Sequence, residues 1–263
     1  MPILDDGTAF ERYGPGDAPS VVMVHGLGLC QEVWQWQAPV LSERYQVITF
    51  DLFGHGQSGL PPVEPSLSLF SGQVESVMEA CGVSSAAIVG FSLGGMIARR
   101  FAQDHPEKTQ ALCILHSPHK RTPEAQAAIS ARVEQARSEG SAATVEAALV
   151  RWFSEGFREA NPDTMDLVRR WVLANDIDVY HRNYRVLAEG VDEVVAPDPP
   201  ISVPALVMTG DEDFGNGPEM TRAIAAEIEG AEVLILKGLR HMALAENPAQ
   251  TTDALMAFLG KHM

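Results

Sequence analysis

Basic residues are scarce in this sequence of 263 residues. Its 19 Lys and Arg stand against 35 Asp and Glu, which gives a formal net charge of −16 at pH 7. A surface with this excess of negative charge repels phosphate backbones and anionic lipid headgroups. We therefore expect a soluble protein with neither a nucleic-acid partner nor a membrane partner.

Cysteines and long apolar runs are also scarce. The three cysteines are an odd number, lie far apart and form no C-x-x-C pair, which argues against a disulfide framework, structural zinc and thiol catalysis. No apolar run approaches the roughly 20 residues of a spanning helix. No basic residue precedes Arg12, unlike the start of a secretory signal. The sequence thus predicts a cytoplasmic protein without cofactor or metal.

The clearest pattern in the sequence is AAIVGFSLGGMIARRF at residues 86–101. The run Ala86–Val89 is typical of a buried strand, and the apolar positions after Ser92 recur at helical spacing. The segment Gly90–Gly94 therefore places a serine at a sharp strand-to-helix turn, where a strained backbone holds the hydroxyl clear of the chain. Glycines two residues before and after this serine have no Cβ to clash. These features predict that Ser92 is a nucleophile.

Two backbone N–H groups are candidates for an oxyanion hole. The N–H of Leu93 begins the new helix, where aligned peptide dipoles favour negative charge. An apolar strand at Val21–Val24 runs into the segment HGLG at 25–28, whose glycines permit a ligand to approach the backbone closely. The N–H of Leu27 is therefore the expected second donor. The neighbouring His25 is interpreted as a packing or hydrogen-bonding residue.

Strands alternate with helices along most of the chain. This order predicts an α/β fold with a doubly wound, mostly parallel sheet, whose site lies at the carboxyl ends of the strands. Strands at Val47–Phe50, Ala205–Thr209 and Val233–Leu236 complete the pattern. Asp51 and His55 follow the first of these, and we interpret them as residues that brace a glycine-rich loop.

An acid and a histidine follow the last two strands. His241 is the expected base for Ser92, and a carboxylate behind it would fix its tautomer. Asp211 and Asp213 both follow the strand before, and spacing alone does not choose between them. The order of the three groups along the chain is Ser, Asp, His.

Residues 119–197 differ in composition from the segments 1–118 and 198–263. Strand signals vanish there, and helical patterns predict an all-helical cap inserted into an α/β core. The expected helices are Pro123–Arg137, Ala142–Phe153, Asp163–Ala174 and Asp178–Glu189. The histidines His116 and His119, just before and at the start of the insertion, have no carboxylate or cysteine nearby in sequence. They therefore predict no metal site.

The insertion holds 10 of the 19 basic residues: Lys120, Arg121, Arg132, Arg137, Arg151, Arg158, Arg169, Arg170, Arg182 and Arg185. Most of them are expected in solvated surface pairs. Arginines that face inward would hold an anionic substrate group by paired hydrogen bonds. The expected inward positions are Arg151-Trp152-Phe153 and Arg169-Arg170-Trp171, and Trp34 is a further candidate for the pocket wall.

Five motifs together resemble the α/β-hydrolase superfamily: HGLG at 25–28, DLFGHGQSG at 51–59, GFSLGG at 90–95, GDED at 210–213 and GLRH at 238–241. The family's Gly-x-x-Asp pattern implies Asp213 as the triad acid. Within the superfamily the chain is most similar to 3-oxoadipate enol-lactonases and related carboxylesterases. That similarity rests on HGLG followed by Trp34, on GFSLGG, and on the two Arg/Trp segments of the insertion.

The resemblance implies a serine hydrolase that cleaves a small ester or lactone through an acyl-enzyme on Ser92. The inward-facing arginines favour a substrate with an anionic group, and a neutral ester stays open as the alternative. Two other activities use the same triad and stay open. They are carbon–carbon bond hydrolysis of ring-cleavage products and cofactor-free perhydrolysis of the haloperoxidase type. A ligand receptor on a hydrolase fold is the alternative that involves no catalysis.

Overall fold

The computed structural model describes residues 1–263 and is built around a seven-stranded sheet in the order β1-β3-β2-β4-β5-β6-β7. Strand β1 runs antiparallel to β3, and every other pair of neighbours is parallel. The strands are β1 (Phe10–Tyr13), β2 (Ser20–Val24), β3 (Gln46–Phe50), β4 (Ala86–Phe91), β5 (Thr109–Leu115), β6 (Ala205–Gly210) and β7 (Glu232–Leu236).

Eleven α-helices accompany the sheet: α1 (Ala38–Leu41), α2 (Leu67–Ala80), α3 (Leu93–Asp104), α4 (Pro123–Glu139), α5 (Ala142–Trp152), α6 (Glu155–Ala160), α7 (Pro162–Leu173), α8 (Ile177–Glu189), α9 (Pro218–Ala226), α10 (Ala243–Glu246) and α11 (Pro248–His262). Short 3₁₀ helices lie at Gln31–Trp34, Pro106–Lys108 and Gly190–Glu193. None of the helices combines the length and apolar character needed to cross a bilayer.

The hydrophobic core lies on both faces of the sheet. Side chains alternate along a strand, so Val22 and Val24 of β2 belong to one buried cluster while Val21 and Met23 belong to the other. Strands β2 to β4 are buried along their whole length because helices cover both faces. The predicted α/β architecture with a mostly parallel sheet is confirmed.

Between β5 and β6 the chain forms helices α4 to α8 and no strand. These helices contribute to both buried clusters, for example through Ile129 on one side and Leu149 on the other. The insertion therefore packs onto the body as part of the same core. Helix α6 was missed by the sequence pattern, and the boundaries at 119 and 197 stay a prediction.

The amphipathic pattern from Glu32 to Glu43, with Trp34, Ala38 and Leu41 on one face, predicts a helix there, and this prediction is wrong. The segment instead forms the 3₁₀ turn Gln31–Trp34 followed by the short helix α1. Pro39 explains the break, because its ring and missing N–H are tolerated in the first turn of a helix and not in its interior.

Candidate active site

The serine of the Gly-x-Ser-x-Gly motif lies at a strained turn between β4 and α3. Ser92 has φ 57° and ψ −114°, a left-handed backbone conformation that residues other than glycine rarely adopt. Its N–H donates to Leu115 O at 2.8 Å, which ties the turn to β5. A Cβ on Gly90 would lie 2.1 Å from Gly94 O, and one on Gly94 would lie 2.1 Å from Val24 O. Only glycine permits so tight a turn at these two positions.

Asp213 and His241 form a hydrogen-bonded pair at the neighbouring strand ends. His241 Nδ1 lies 2.7 Å from Asp213 Oδ2, and both side chains are buried. The other oxygen of Asp213 accepts the backbone N–H groups of Gly215 and Asn216 at 3.1 and 3.0 Å. Burial by itself would raise the pKa of Asp213. The attraction of His241 and hydrogen bonds from His116 and His241 nevertheless hold that pKa well below its ordinary value.

The second candidate acid, Asp211, lies elsewhere. It is exposed, and its Oδ1 accepts the N–H of Gly238 at 2.7 Å. Asp211 therefore holds the loop after β7, while the structure brings Asp213 to His241.

Ser92, Asp213 and His241 line one cavity of about 110 Å³ between the body and the helical insertion. Gly26, Leu27 and Phe91 line it from the body. No hydrogen bond joins Ser92 Oγ to His241 in the free protein, and such contacts in unliganded enzymes are often long until substrate binds.

The loop that carries Leu27 lies directly against the serine. A Cβ on Gly26 would come within 3.1 Å of Ser92 Cβ, and Leu27 lines the cavity. The backbone N–H groups of Leu27 and Leu93 donate to no other group of the protein. Leu27 and Leu93 therefore stay the candidates for an oxyanion hole.

Two buried histidines hold this loop in place. His25 Nε2 accepts the N–H of Leu52 at 3.0 Å, and His55 Nε2 accepts the N–H of Gly28 at 3.0 Å. Burial lowers the pKa of His25 to about 4 and that of His55 to about 3, so both rings are neutral acceptors at pH 7. Asp51 accepts the N–H of Gln31 at 2.7 Å, so these groups brace the loops as interpreted from the sequence.

Two of the four side chains expected in the pocket line the cavity. Arg151 and Trp152 do so, and the Trp152 ring centroid lies 6.1 Å from that of His241. Trp34 does not line the cavity, because the 3₁₀ turn directs it into the core, where it is fully buried. Trp171 is also outside the cavity and donates its Nε1–H to Glu32 at 3.0 Å.

The paired arginines beside Trp171 face solvent rather than the cavity. Arg169 forms ion pairs with Glu146 and Asp166, and Arg170 is exposed. Helix α7 turns its apolar side, including Val168 and Trp171, towards the core. The expectation that this segment faces the substrate is therefore wrong.

Arg121 and Arg132 line the cavity with Arg151, although no local pattern singled them out. None of the three forms an ion pair with a carboxylate. Arg121 donates to Leu187 O and Ala188 O at 3.1 and 3.2 Å, Arg132 to Tyr184 Oη at 3.0 Å and Arg151 to Ala147 O at 3.0 Å. Burial and the neighbouring Arg132 lower the pKa of Arg121 to about 10, which leaves it charged at pH 7.

The histidines at the start of the insertion do not share a site. His116 Nδ1 lies 3.0 Å from Asp213 Oδ2, whereas His119 Nε2 lies 2.9 Å from Glu227 Oε1. His116 therefore belongs to the environment of the candidate acid, a placement the sequence did not predict.

A strained serine elbow and an Asp–His pair at the carboxyl ends of a parallel sheet define a hydrolase of the α/β class. Residues 19–248 match the model of the alpha/beta hydrolase fold family, and the chain belongs to this family.

Two curated relatives come from Acinetobacter baylyi. An (E)-2-((N-methylformamido)methylene)succinate hydrolase is 29% identical over 257 residues, which cover 97% of this chain and 96% of that protein. A 3-oxoadipate enol-lactonase 2 is 27% identical over 204 residues, 78% of this chain and 75% of that protein. The crystal structure of the enol-lactonase from Burkholderia xenovorans LB400 superposes with a TM-score of 0.88 and 26% identity, covering 96% of each chain. These similarities confirm the expected place near the enol-lactonases and support a hydrolase activity.

Proposed function

We propose that the protein hydrolyses a small carboxylic ester or lactone through an acyl-enzyme on Ser92. The observation that carries this proposal is the pairing of His241 with the buried carboxylate of Asp213 in the cavity that also holds the elbow serine. Asp213 accepts from Nδ1, so the neutral imidazole carries its proton there and leaves Nε2 free as a base.

The reaction would proceed in two halves. His241 Nε2 takes the proton of Ser92 Oγ while this oxygen bonds to the carbonyl carbon, and the carbonyl oxygen becomes an oxyanion facing the N–H groups of Leu27 and Leu93. The carbon–oxygen bond to the leaving alkoxide then breaks, and His241 returns the proton to that oxygen. Water, deprotonated by His241, attacks the acyl-enzyme, and the proton finally returns to Ser92.

We propose that the substrate carries an anionic group, which the guanidinium groups of Arg121, Arg132 and Arg151 bind. These three cations lack carboxylate partners in a chain whose net charge is −16, so their charge is left for a ligand. The succinate and 3-oxoadipate in the names of the relatives are carboxylates, which supports the same class of substrate.

Hydrolysis of 3-oxoadipate enol-lactone and of 4-nitrophenyl acetate by wild type, Ser92→Ala and Arg151→Gln tests both parts. We expect Ser92→Ala to lose both activities and its labelling by a fluorophosphonate. Ser117→Ala, a change at another buried serine, should retain them. Arg151→Gln should raise KM for the anionic lactone and leave the neutral ester unaffected.

Two outcomes would contradict the proposal. Turnover by Ser92→Ala would rule out the acyl-enzyme, and equal effects of Arg151→Gln on both substrates would rule out the anion site. Wild-type protein that is labelled yet turns over neither substrate would direct the search to carbon–carbon substrates.

A further inference from the structure

His116 occupies an unusual position immediately after β5. Its ring is fully buried, and its φ of 50° is left-handed, which is uncommon for a residue other than glycine. Its N–H donates to Met208 O at 2.7 Å, and its carbonyl accepts Asn216 Nδ2 at 2.8 Å. These backbone contacts hold the side chain against Asp213.

One oxygen of Asp213 lies within hydrogen-bond distance of two imidazole rings. Asp213 Oδ2 lies 3.0 Å from His116 Nδ1 and 2.7 Å from His241 Nδ1, while Oδ1 takes two backbone N–H groups. An ionised carboxylate only accepts hydrogen bonds. Each Nδ1 must therefore carry a hydrogen and donate it to Oδ2.

Thr209 supports this assignment of protons. Its Oγ1 lies 2.8 Å from Asn216 O, 3.4 Å from Asp213 Oδ2 and 3.2 Å from His116 Nδ1. Both oxygens only accept, so the one hydroxyl hydrogen goes to an oxygen and a lone pair of Oγ1 faces the ring. Burial lowers the pKa of His116, against the opposing influence of Asp213. The ring is then neutral, with a bare Nε2 that is buried and has no hydrogen-bond partner.

We propose that His116 is a positioning residue that shares Asp213 Oδ2 with His241 and thereby helps to set the pH range in which the enzyme is active. The N–H of His116 fixes the orientation of the carboxylate. It also draws negative charge away from the oxygen that stabilises the His241 imidazolium. Without the His116 N–H, the full charge of this oxygen would face His241, so we expect the acidic limb of the activity to lie at higher pH. The inference rests on the proposed function of Ser92, Asp213 and His241.

Other charged and titratable groups line the same cavity as His241 or act electrostatically on His116. They are Glu246 of α10, Arg121 before α4, Arg132 of α4, Arg151 of α5, and Tyr180 and Tyr184 of α8. Glu246 accepts the N–H groups of Ser154 at 2.7 Å and Arg240 at 3.0 Å. A change confined to His116 leaves all of these groups in place.

Two substitutions at His116 separate the effect of its N–H donor from the effect of the bulk of its ring. His116→Asn keeps an N–H donor at the place of Nδ1, and asparagine tolerates the left-handed backbone. His116→Leu keeps apolar bulk and removes the donor. His119→Leu is the matched control, because His119 contacts Glu227 and not Asp213.

The readout is the acidic limb of the kcat/KM profile. We expect its midpoint to move to higher pH by about one unit in His116→Leu, the size expected for one charge-assisted hydrogen bond. His116→Asn and His119→Leu should keep the wild-type midpoint. A purely structural role would lower stability or kcat at every pH without moving the midpoint, and that result would overturn the inference.

Nitrogen-15 NMR of the wild-type imidazoles gives a second test that needs no variant. We expect His116 to hold its proton on Nδ1, with Nε2 unprotonated, throughout the active pH range. A proton on Nε2 would overturn the inference even if His116→Leu fails to fold. Turnover by Ser92→Ala would instead refute the proposed function, so the two failures are distinguishable.

Discussion

Asp213→Asn is expected to abolish most of the activity by reversing the tautomer of His241. The side-chain amide of this variant would place its oxygen where Asp213 Oδ1 accepts the N–H groups of Gly215 and Asn216, because an amide NH₂ there would face two donors. Its NH₂ would then occupy the place of Oδ2, opposite the Nδ1 atoms of His116 and His241.

The expected loss of kcat follows from the change that this amide imposes on the tautomer of His241. The two hydrogens of the amide match two ring nitrogens, so each imidazole would accept at Nδ1 and carry its proton on Nε2. His241 would then present an N–H to Ser92 and cannot take its proton. An Asp-to-Asn exchange of this kind in a catalytic triad lowers kcat by about 10⁴, which is roughly 5 kcal/mol of activation free energy.

Steady-state kinetics on whichever ester or lactone the wild type hydrolyses would measure this loss, with thermal unfolding followed by circular dichroism to verify folding. Asp211→Asn is the matched control in the same loop, and it should retain activity because Asp211 contacts Gly238 and not His241. A loss below tenfold in Asp213→Asn, or an equal loss in Asp211→Asn, would refute the assignment of Asp213 as the acid.

Three further predictions concern stability and the cavity. Gly94→Ala, whose Cβ would meet Val24 O at 2.1 Å, should lower the free energy of unfolding by about 3 kcal/mol. Gly72→Ala, with open space in helix α2, should raise it by roughly 0.5 kcal/mol; urea titration measures both, and equal effects would contradict the steric argument. Trp34→Ala should cost about 4 kcal/mol of stability with KM unchanged. Trp152→Ala should raise KM, and a KM effect from Trp34→Ala would place that ring near substrate. His25 and His55 have folded pKa values of about 4 and about 3 against 6.5 for the free side chain. Below pH ~6.5 the unfolded chain therefore binds more protons than the folded protein. As the pH is lowered from there to about 4, the free energy of unfolding should fall by roughly 1 kcal/mol per pH unit for each histidine. Urea titrations with equal midpoints at pH 7 and 5 would contradict this effect.

Local sterics made the serine turn predictable from sequence. Gly90 and Gly94 are required by backbone atoms within a few residues of Ser92 or on the adjacent strand, so the motif itself carries the constraint. The alternation of apolar strands with helices likewise predicts a mostly parallel sheet, because strands buried on both faces need continuous apolar runs. Pro39 was the local signal that the expected helix after Glu32 would break.

The residues that line the cavity could not be predicted from local patterns of this kind. Arg151 and Arg169 both stand beside aromatic residues in helices of the insertion, yet one lines the cavity and the other pairs with Glu146 and Asp166. The direction in which each helix face points is set by how α4 to α8 pack on the body. The same packing brings Arg121 and Arg132 to the cavity, and no short sequence segment predicts it.

The sequence by itself determined the mostly parallel α/β architecture and the strained turn at Ser92, because these depend on strand periodicity and largely on contacts between residues close in the chain. The family resemblance implied Asp213 as the acid, but only the tertiary structure brought its carboxylate, and not that of Asp211, to His241. Only the tertiary structure also placed Trp34 in the core and His116 beside the carboxylate. These outcomes depend on where separate strands end in space, and His116 and Asp213 are 97 residues apart in the chain.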